Sequence, residues 1–191
     1  MRFSLAFLTL ALGFLPVPFT FAEDARSCDG MWFSRNLIFH RAGYCFGSRL
    51  GQSVFGNQGC QRGAPVLSET NQQIVAALKR AEQSWGCSVN TKLQSLDLKS
   101  RHLLEKLGRQ PVPSDGESGC LGYLGKPLKL FQSPDYKSLE VGLIPRGSDV
   151  VDAYERVGRW TVYSALTSDG SSILGWTTED VWANGCESYA R

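Results

Sequence analysis

The chain has 191 residues, 20 Lys and Arg against 18 Asp and Glu, and a formal net charge of +2. That near balance excludes a polybasic nucleic-acid face, and no stretch after Ala22 is long and apolar enough for the roughly 20 residues of a membrane-spanning helix. All six cysteines lie beyond Ala22 and the closest pair, Cys45 and Cys60, is far too wide for C-x₂₋₄-C zinc spacing, so they read as disulfides of an oxidising compartment.

Residues 1–22 read as a signal peptide. Arg2 is the basic n-region, Phe3–Leu15 the short apolar core, and Thr20-Phe21-Ala22 places cleavage after Ala22. The mature chain would divide into a helical module over 23–108, a linker over 109–119 and a β-rich module over 120–191. Residues 23–27 are expected to fray.

Met31–Phe46 is the densest aromatic run of the mature chain. Asp29 is the expected N-cap of a helix from about Gly30 to Ala42, with Gly43 suited to the left-handed residue that follows it. A short helix is expected around Gln52–Phe55. A second long helix starts at Ser68: Ile74, Val75, Leu78, Ala81 and Trp85 form a helical stripe that Gly86 ends. A third covers about Lys99–Leu107. Arg109–Gly119, with two prolines and a Ser/Asp/Gly/Glu cluster, reads as the linker.

Behind it the pattern changes to period 2. Leu128–Phe131, Glu140–Ile144, Val150–Tyr154, Trp160–Ala165 and Ile173–Thr177 read as five short strands, which implies a small β-barrel or sandwich. Cys120 and Cys186 bracket them, and a bridge between the two would close the barrel by its ends. For Cys28, Cys45, Cys60 and Cys87 helix length removes one pairing. A helix over 30–42 is about 20 Å long, too long for Cys28 to reach Cys45 across a disulfide Cα separation of about 6 Å. Cys28–Cys87 with Cys45–Cys60, or Cys28–Cys60 with Cys45–Cys87, remain.

Two resemblances follow from these residues. Trp32–Phe46 resembles the YARHG domain of bacterial exported proteins: Arg35, Asn36, Ile38, Arg41, Gly43 and Phe46 match, while Phe39, His40 and Ala42 stand in the places of its Tyr, Ala and His. The name-giving histidine is therefore absent, and no role of it carries over. Lys129–Val181 resembles a bacterial SH3-like domain, through Val141-Gly142-Leu143-Ile144-Pro145-Arg146-Gly147, Val157-Gly158-Arg159-Trp160 and Leu174-Gly175-Trp176. Together the two resemble an alphaproteobacterial family of exported proteins whose C-terminal half is of unknown function. The implied fold class is α+β, a small disulfide-stapled helical module followed by a small SH3-like barrel.

Six cysteines that can all pair leave no thiol for a Cys/His hydrolase, and no G-x-S-x-G frame accompanies the two histidines, His40 and His102. No catalytic residue, metal or cofactor is expected. The candidate binding residues are Arg35, Asn36 and Arg41, as a clamp for a carboxylate or phosphate, and Tyr136 and Tyr154, as the walls of an aromatic groove of the SH3 kind for an extended peptide. The expectation is a periplasmic or secreted, non-enzymatic binding or adaptor protein of the bacterial envelope. Its barrel would hold a peptide, a peptidoglycan fragment or a protein partner, with no nucleic acid. The alternatives are an envelope hydrolase with a site between the modules and a secreted inhibitor or structural protein.

Overall fold

The computed structural model describes residues 24–190; the expected signal peptide lies outside them. Among the described residues the chain forms helices α1 (Cys28–Arg41), α2 (Arg49–Phe55), α3 (Glu69–Ser84) and α4 (Arg101–Lys106) before its strands. Local chemistry accounts for their ends. Ser27, not Asp29, caps α1: its hydroxyl accepts the Gly30 N–H at 3.1 Å, so the helix starts two residues earlier than expected and Asp29 falls in its first turn. Ser68 caps α3 through the Asn71 N–H, and Gly86 follows that helix at φ +66°, where a side chain would be strained.

Helix α1 is buried on more than one side. Met31 and Ile38 pack on Ile74, Val75 and Leu78 of α3. Trp32, Phe33 and Leu37 face the opposite way. The segment ahead of α1 is pinned rather than frayed. Ala25 lies in the core, the Asp24 carboxylate accepts the Ser100 N–H at 2.7 Å, and Arg26 is paired with Glu117 and donates to the Ser114 carbonyl at 3.1 Å. Gly30 permits this approach, because a Cβ there would collide with the Ala25 carbonyl.

The second half is one antiparallel sheet of seven strands: β1 (Pro113–Tyr123), β2 (Leu128–Phe131), β3 (Glu140–Ile144), β4 (Asp149–Tyr154), β5 (Thr161–Leu166), β6 (Ser172–Thr177) and β7 (Cys186–Ala190). Their order is β3-β2-β6-β5-β4-β1-β7. The sheet is not closed as a barrel; β3 and β7 are free edges. The stretch expected as a linker carries the first half of β1, an irregular strand whose register shifts between Pro113 and Ser118. Pairing with β4 on one side and β7 on the other makes a strand of residues whose composition reads as loop.

The sheet curls, since Cys120 and Tyr123 of β1 share one buried cluster with Leu128 and Leu130 of β2, from which three strands separate it in the order, and with Ile144, Val150, Tyr163 and Ala165. Its other face is the one the helices cover. Val151, Ala153, Val162, Leu174 and Trp176 pack with Trp32, Phe33, Leu37, Leu50, Leu104 and Leu107 in a single cluster. The helical and β-rich halves therefore share one core.

Three disulfides overlie this frame, and no cysteine among the described residues is free. Cys28–Cys87 ties the start of α1 to the end of α3, and Cys45–Cys60 closes the loop around α2. Cys120–Cys186 fastens edge strand β7 to β1 instead of closing a barrel.

Candidate functional site

The three polar residues of the expected clamp each do something else. Arg35 Nε donates to both carboxylate oxygens of Glu82, each at 3.1 Å, across the α1–α3 contact, and both side chains are mostly buried. Asn36 is buried, and its side-chain amide donates to the Trp32 carbonyl at 2.7 Å, one turn back. Arg41 donates to the carbonyls of Leu107 (2.7 Å) and Glu105 (2.8 Å), satisfying the open C-terminal end of α4. Burial lowers the pKa of Arg41, with Glu105 opposing the shift. Spacing put these residues near one another on a helix, and each head group has a separate partner, so they form no clamp. Arg35→Ala is expected to cost about 2 kcal/mol, because it leaves a mostly buried carboxylate unpaired. Denaturant unfolding of Arg35→Ala, Glu82→Gln and the double variant checks this, and additive losses would show that the pair is not coupled.

Tyr154 does not line a groove. It is buried at the end of β4, and its hydroxyl has no hydrogen-bond partner among the described residues. Burial raises its pKa above the ordinary tyrosine value near 10. Tyr163, inside the curl of the sheet, is pushed up to about 12 by the same cause. Near pH 10 the unfolded chain releases phenol protons that the folded chain retains. Stability from these groups is therefore complete below about pH 10 and is lost as pH rises toward about 12. Tyr154→Phe is expected to flatten that alkaline loss and to gain about 1 kcal/mol at neutral pH, since it removes a buried unpaired hydroxyl. Unfolding free energies from pH 8 to 11 test both.

Tyr136 is exposed, and the β2–β3 connection presents it. The Asp135 carboxylate accepts the Lys137 N–H at 2.9 Å, and the Ser138 hydroxyl donates back to the Asp135 carbonyl at 2.7 Å, which makes a tight turn with Tyr136 at its tip. The Tyr136 ring packs 4.7 Å from Trp160 and edge-on to Phe131 at 5.8 Å. The Arg159 guanidinium lies 5.3 Å from the Tyr136 ring centroid and donates to its hydroxyl at 3.0 Å, while that hydroxyl bonds Thr178 Oγ1 at 2.6 Å.

Beside this platform runs β3, hydrogen-bonded to β2 alone. Among the described residues, seven large apolar side chains are exposed, and three of them belong to this hairpin: Tyr136 (54 %), Leu139 (69 %) and Leu143 (44 %). An edge strand that is neither covered nor densely charged is a template for another strand. The other edge, β7, is tied down by its disulfide. Leu139, Leu143 and Arg159 were not among the residues picked from sequence. Alternation within the strand does not single them out, because Val141, between Leu139 and Leu143, packs against the core while those two leucines are exposed.

A separate cleft of about 300 Å³ lies between α3 and the sheet, with Arg80, Arg109, Glu155, Arg156 and Trp176 in its lining. Its lining has one carboxylate and no His, Ser or Cys. His40 stacks on Phe55 and the His102 ring lies against the Lys99 carbonyl, so neither histidine is in the cleft. Among the described residues no cluster of three or more His, Cys, Asp or Glu side chains is arranged to hold a metal, and no helix is long and apolar enough to cross a membrane.

Residues 18–83 match the YARHG domain, and residues 86–191, more than half of the chain, match the domain of unknown function DUF4453. No curated protein and no solved structure matches the chain.

Proposed function

We propose that this chain, which belongs to the DUF4453 family and carries a YARHG domain ahead of that match, is an exported, non-enzymatic binding protein of the bacterial envelope. Its ligand is an extended peptide segment of an envelope partner, added as a strand to β3. The observation that carries this reading is the free β3 edge flanked by exposed Leu139, Leu143 and Tyr136. Main-chain hydrogen bonds to such an edge supply affinity, and pockets for alternate side chains supply selectivity. The resemblance of residues 129–181 to bacterial SH3-like domains supports a peptide ligand, and the resemblance of the opening helix to the YARHG domain of bacterial exported proteins supports the location. Three disulfides fit an oxidising compartment. A hydrolase with a site between the helices and the sheet has less support, because the cleft there holds a single carboxylate, Glu155, and no Ser, Cys or His beside it.

The test uses the intact disulfide-bonded chain, immobilised and exposed to purified cell wall and to solubilised envelope proteins. Retention of one component is expected. Leu143→Lys, which places a charge on the edge, is expected to weaken it about tenfold with an unchanged thermal midpoint, and Tyr136→Ala, which also removes the contacts with Trp160 and Arg159, about tenfold with a lowered midpoint. Retention of nothing, or retention indifferent to both substitutions, would sink the reading.

A further inference from the structure

The cleft between α3 and the sheet is a second place where chemistry-bearing side chains converge. Gln73, Ile74, Ala77 and Arg80 line it from one stripe of α3, at the spacing that puts helix residues on a common face. Arg109, Gln110 and Val112 form a second wall. Glu155, Arg156 and Val157 close it from the β4–β5 turn, with Trp176 of β6 in the floor.

These walls are held in place. The Trp176 Nε1–H donates to the Arg109 carbonyl at 3.1 Å, and the Gly108 N–H donates to the Gln132 carbonyl at 2.8 Å. The Gln110 side-chain amide donates to the carbonyls of Leu104 and Leu107, each at 3.0 Å. The Glu155 N–H donates to the Val112 carbonyl at 2.8 Å, and Val157 and Trp160 exchange main-chain hydrogen bonds across the turn. A cleft built on fixed main chain binds without first having to be ordered.

Its charge is lopsided. Three guanidinium groups share the lining with one carboxylate. Arg156 leans on Asp152, outside the cleft lining, at 3.3 Å. Arg80 and Arg109 take part in no ion pair among the described residues. Arg109 is also partly desolvated, and that burial lowers its pKa. Elsewhere in this chain the partly buried arginines are paired off: Arg26 with Glu117, Arg35 with Glu82, and Arg41 with the end of α4. The remaining lining from Ile74, Ala77, Val112, Val157 and Trp176 is apolar.

We infer that this cleft is a binding site for a small organic oxyanion, a carboxylate or phosphate on an apolar body, with Arg109 and Arg80 taking the anion and Trp176, Ile74 and Val157 packing on the body. Guanidinium pairs with either oxyanion through charge-assisted hydrogen bonds. The volume of about 300 Å³ is at the small end of the range for ligand sites, which restricts the ligand to a compact molecule. The site is distinct from the β3 edge and does not depend on the reading given for that edge.

The probes are N-acetyl-L-phenylalanine, its amide, and phenyl phosphate, titrated calorimetrically into the intact disulfide-bonded chain at low salt. Saturable binding of one or both anions is expected, weakening as salt is raised, with no binding of the amide. A preference between the two anions identifies which oxyanion the site takes. Arg109→Gln is expected to weaken binding about tenfold. Arg80→Gln, on the exposed side of α3, is expected to weaken it several-fold with an unchanged thermal midpoint, so a folding defect in the first variant leaves the second to decide. The proposal is overturned if neither anion saturates, if the amide binds as tightly as the acid, or if binding survives both substitutions unchanged.

Discussion

Residues 109–191 produced alone are expected to show no cooperative unfolding transition, as are residues 24–108, whereas the intact chain is expected to melt in one step. This is the expected outcome of the shared core. Val151, Ala153, Val162, Leu174 and Trp176 are buried against helix residues. Separating the halves exposes these side chains to water at about 2 kcal/mol each for the larger ones, or roughly 8–10 kcal/mol in all. That is comparable to the whole stability of a domain, about 5–15 kcal/mol. The cut also breaks the Arg26–Glu117 pair and the hydrogen bond from the Gly108 N–H to the Gln132 carbonyl. Circular dichroism melts of each half and of their mixture test it. A half that melts cooperatively on its own would show that the interface is not part of its core.

The second large effect is loss of a disulfide. Replacing Cys28 and Cys87 by serine frees a loop with a sequence separation of 59, and replacing Cys120 and Cys186 frees one of 66. Chain entropy puts each at about 4 kcal/mol, against about 3 kcal/mol for Cys45–Cys60 with its separation of 15. The first double substitution carries a further consequence. Cys28–Cys87 and Arg35–Glu82 cross the same α1–α3 contact, so losing the bond leaves the helix pair to the ion pair and to the packing of Met31 and Ile38 on Ile74, Val75 and Leu78. Guanidinium unfolding of the three double-serine variants is expected to rank Cys45–Cys60 as the least costly. A larger loss there than at Cys28–Cys87 would overturn the loop-length account.

How much of this was legible depends on the range of the forces involved. Helix α3 was readable end to end because its determinants are local: Ser68 caps it, Ile74, Val75 and Leu78 make its stripe, and Gly86 stops it. The five short strands were readable for the same reason, since alternation is a property of neighbouring residues. β1 was not. Its Pro, Ser, Asp, Gly and Glu residues have no strand preference of their own, and only pairing with β4 and β7 makes them a strand. The start of α1 was misplaced by two residues because Ser27 and Asp29 are both good caps, and the packing of the preceding segment favours Ser27.

The candidate site was legible in smaller part. Tyr136 could be picked out as an aromatic residue in a turn. Tyr154 looked equivalent by type, yet it ends a strand in which Val151 and Ala153 pack with the helices, and it went into the core with them. Arg35, Asn36 and Arg41 are close in sequence, and sequence spacing cannot show that Glu82, the Trp32 carbonyl and the end of α4 are waiting for them.

The amino-acid sequence by itself determined the helices and most strands, the even set of cysteines and the run around Arg35–Phe46 that carries the YARHG likeness. Hydrogen-bond caps, apolar periodicity and turn glycines act over a few residues and can be read directly. Only the tertiary structure decided which of two disulfide pairings forms, which strands are left as edges, that the two halves bury one core, and that Arg80, Arg109 and Arg156 meet in one cleft. Those outcomes rest on contacts between residues tens of positions apart, and they follow from how whole elements pack against one another.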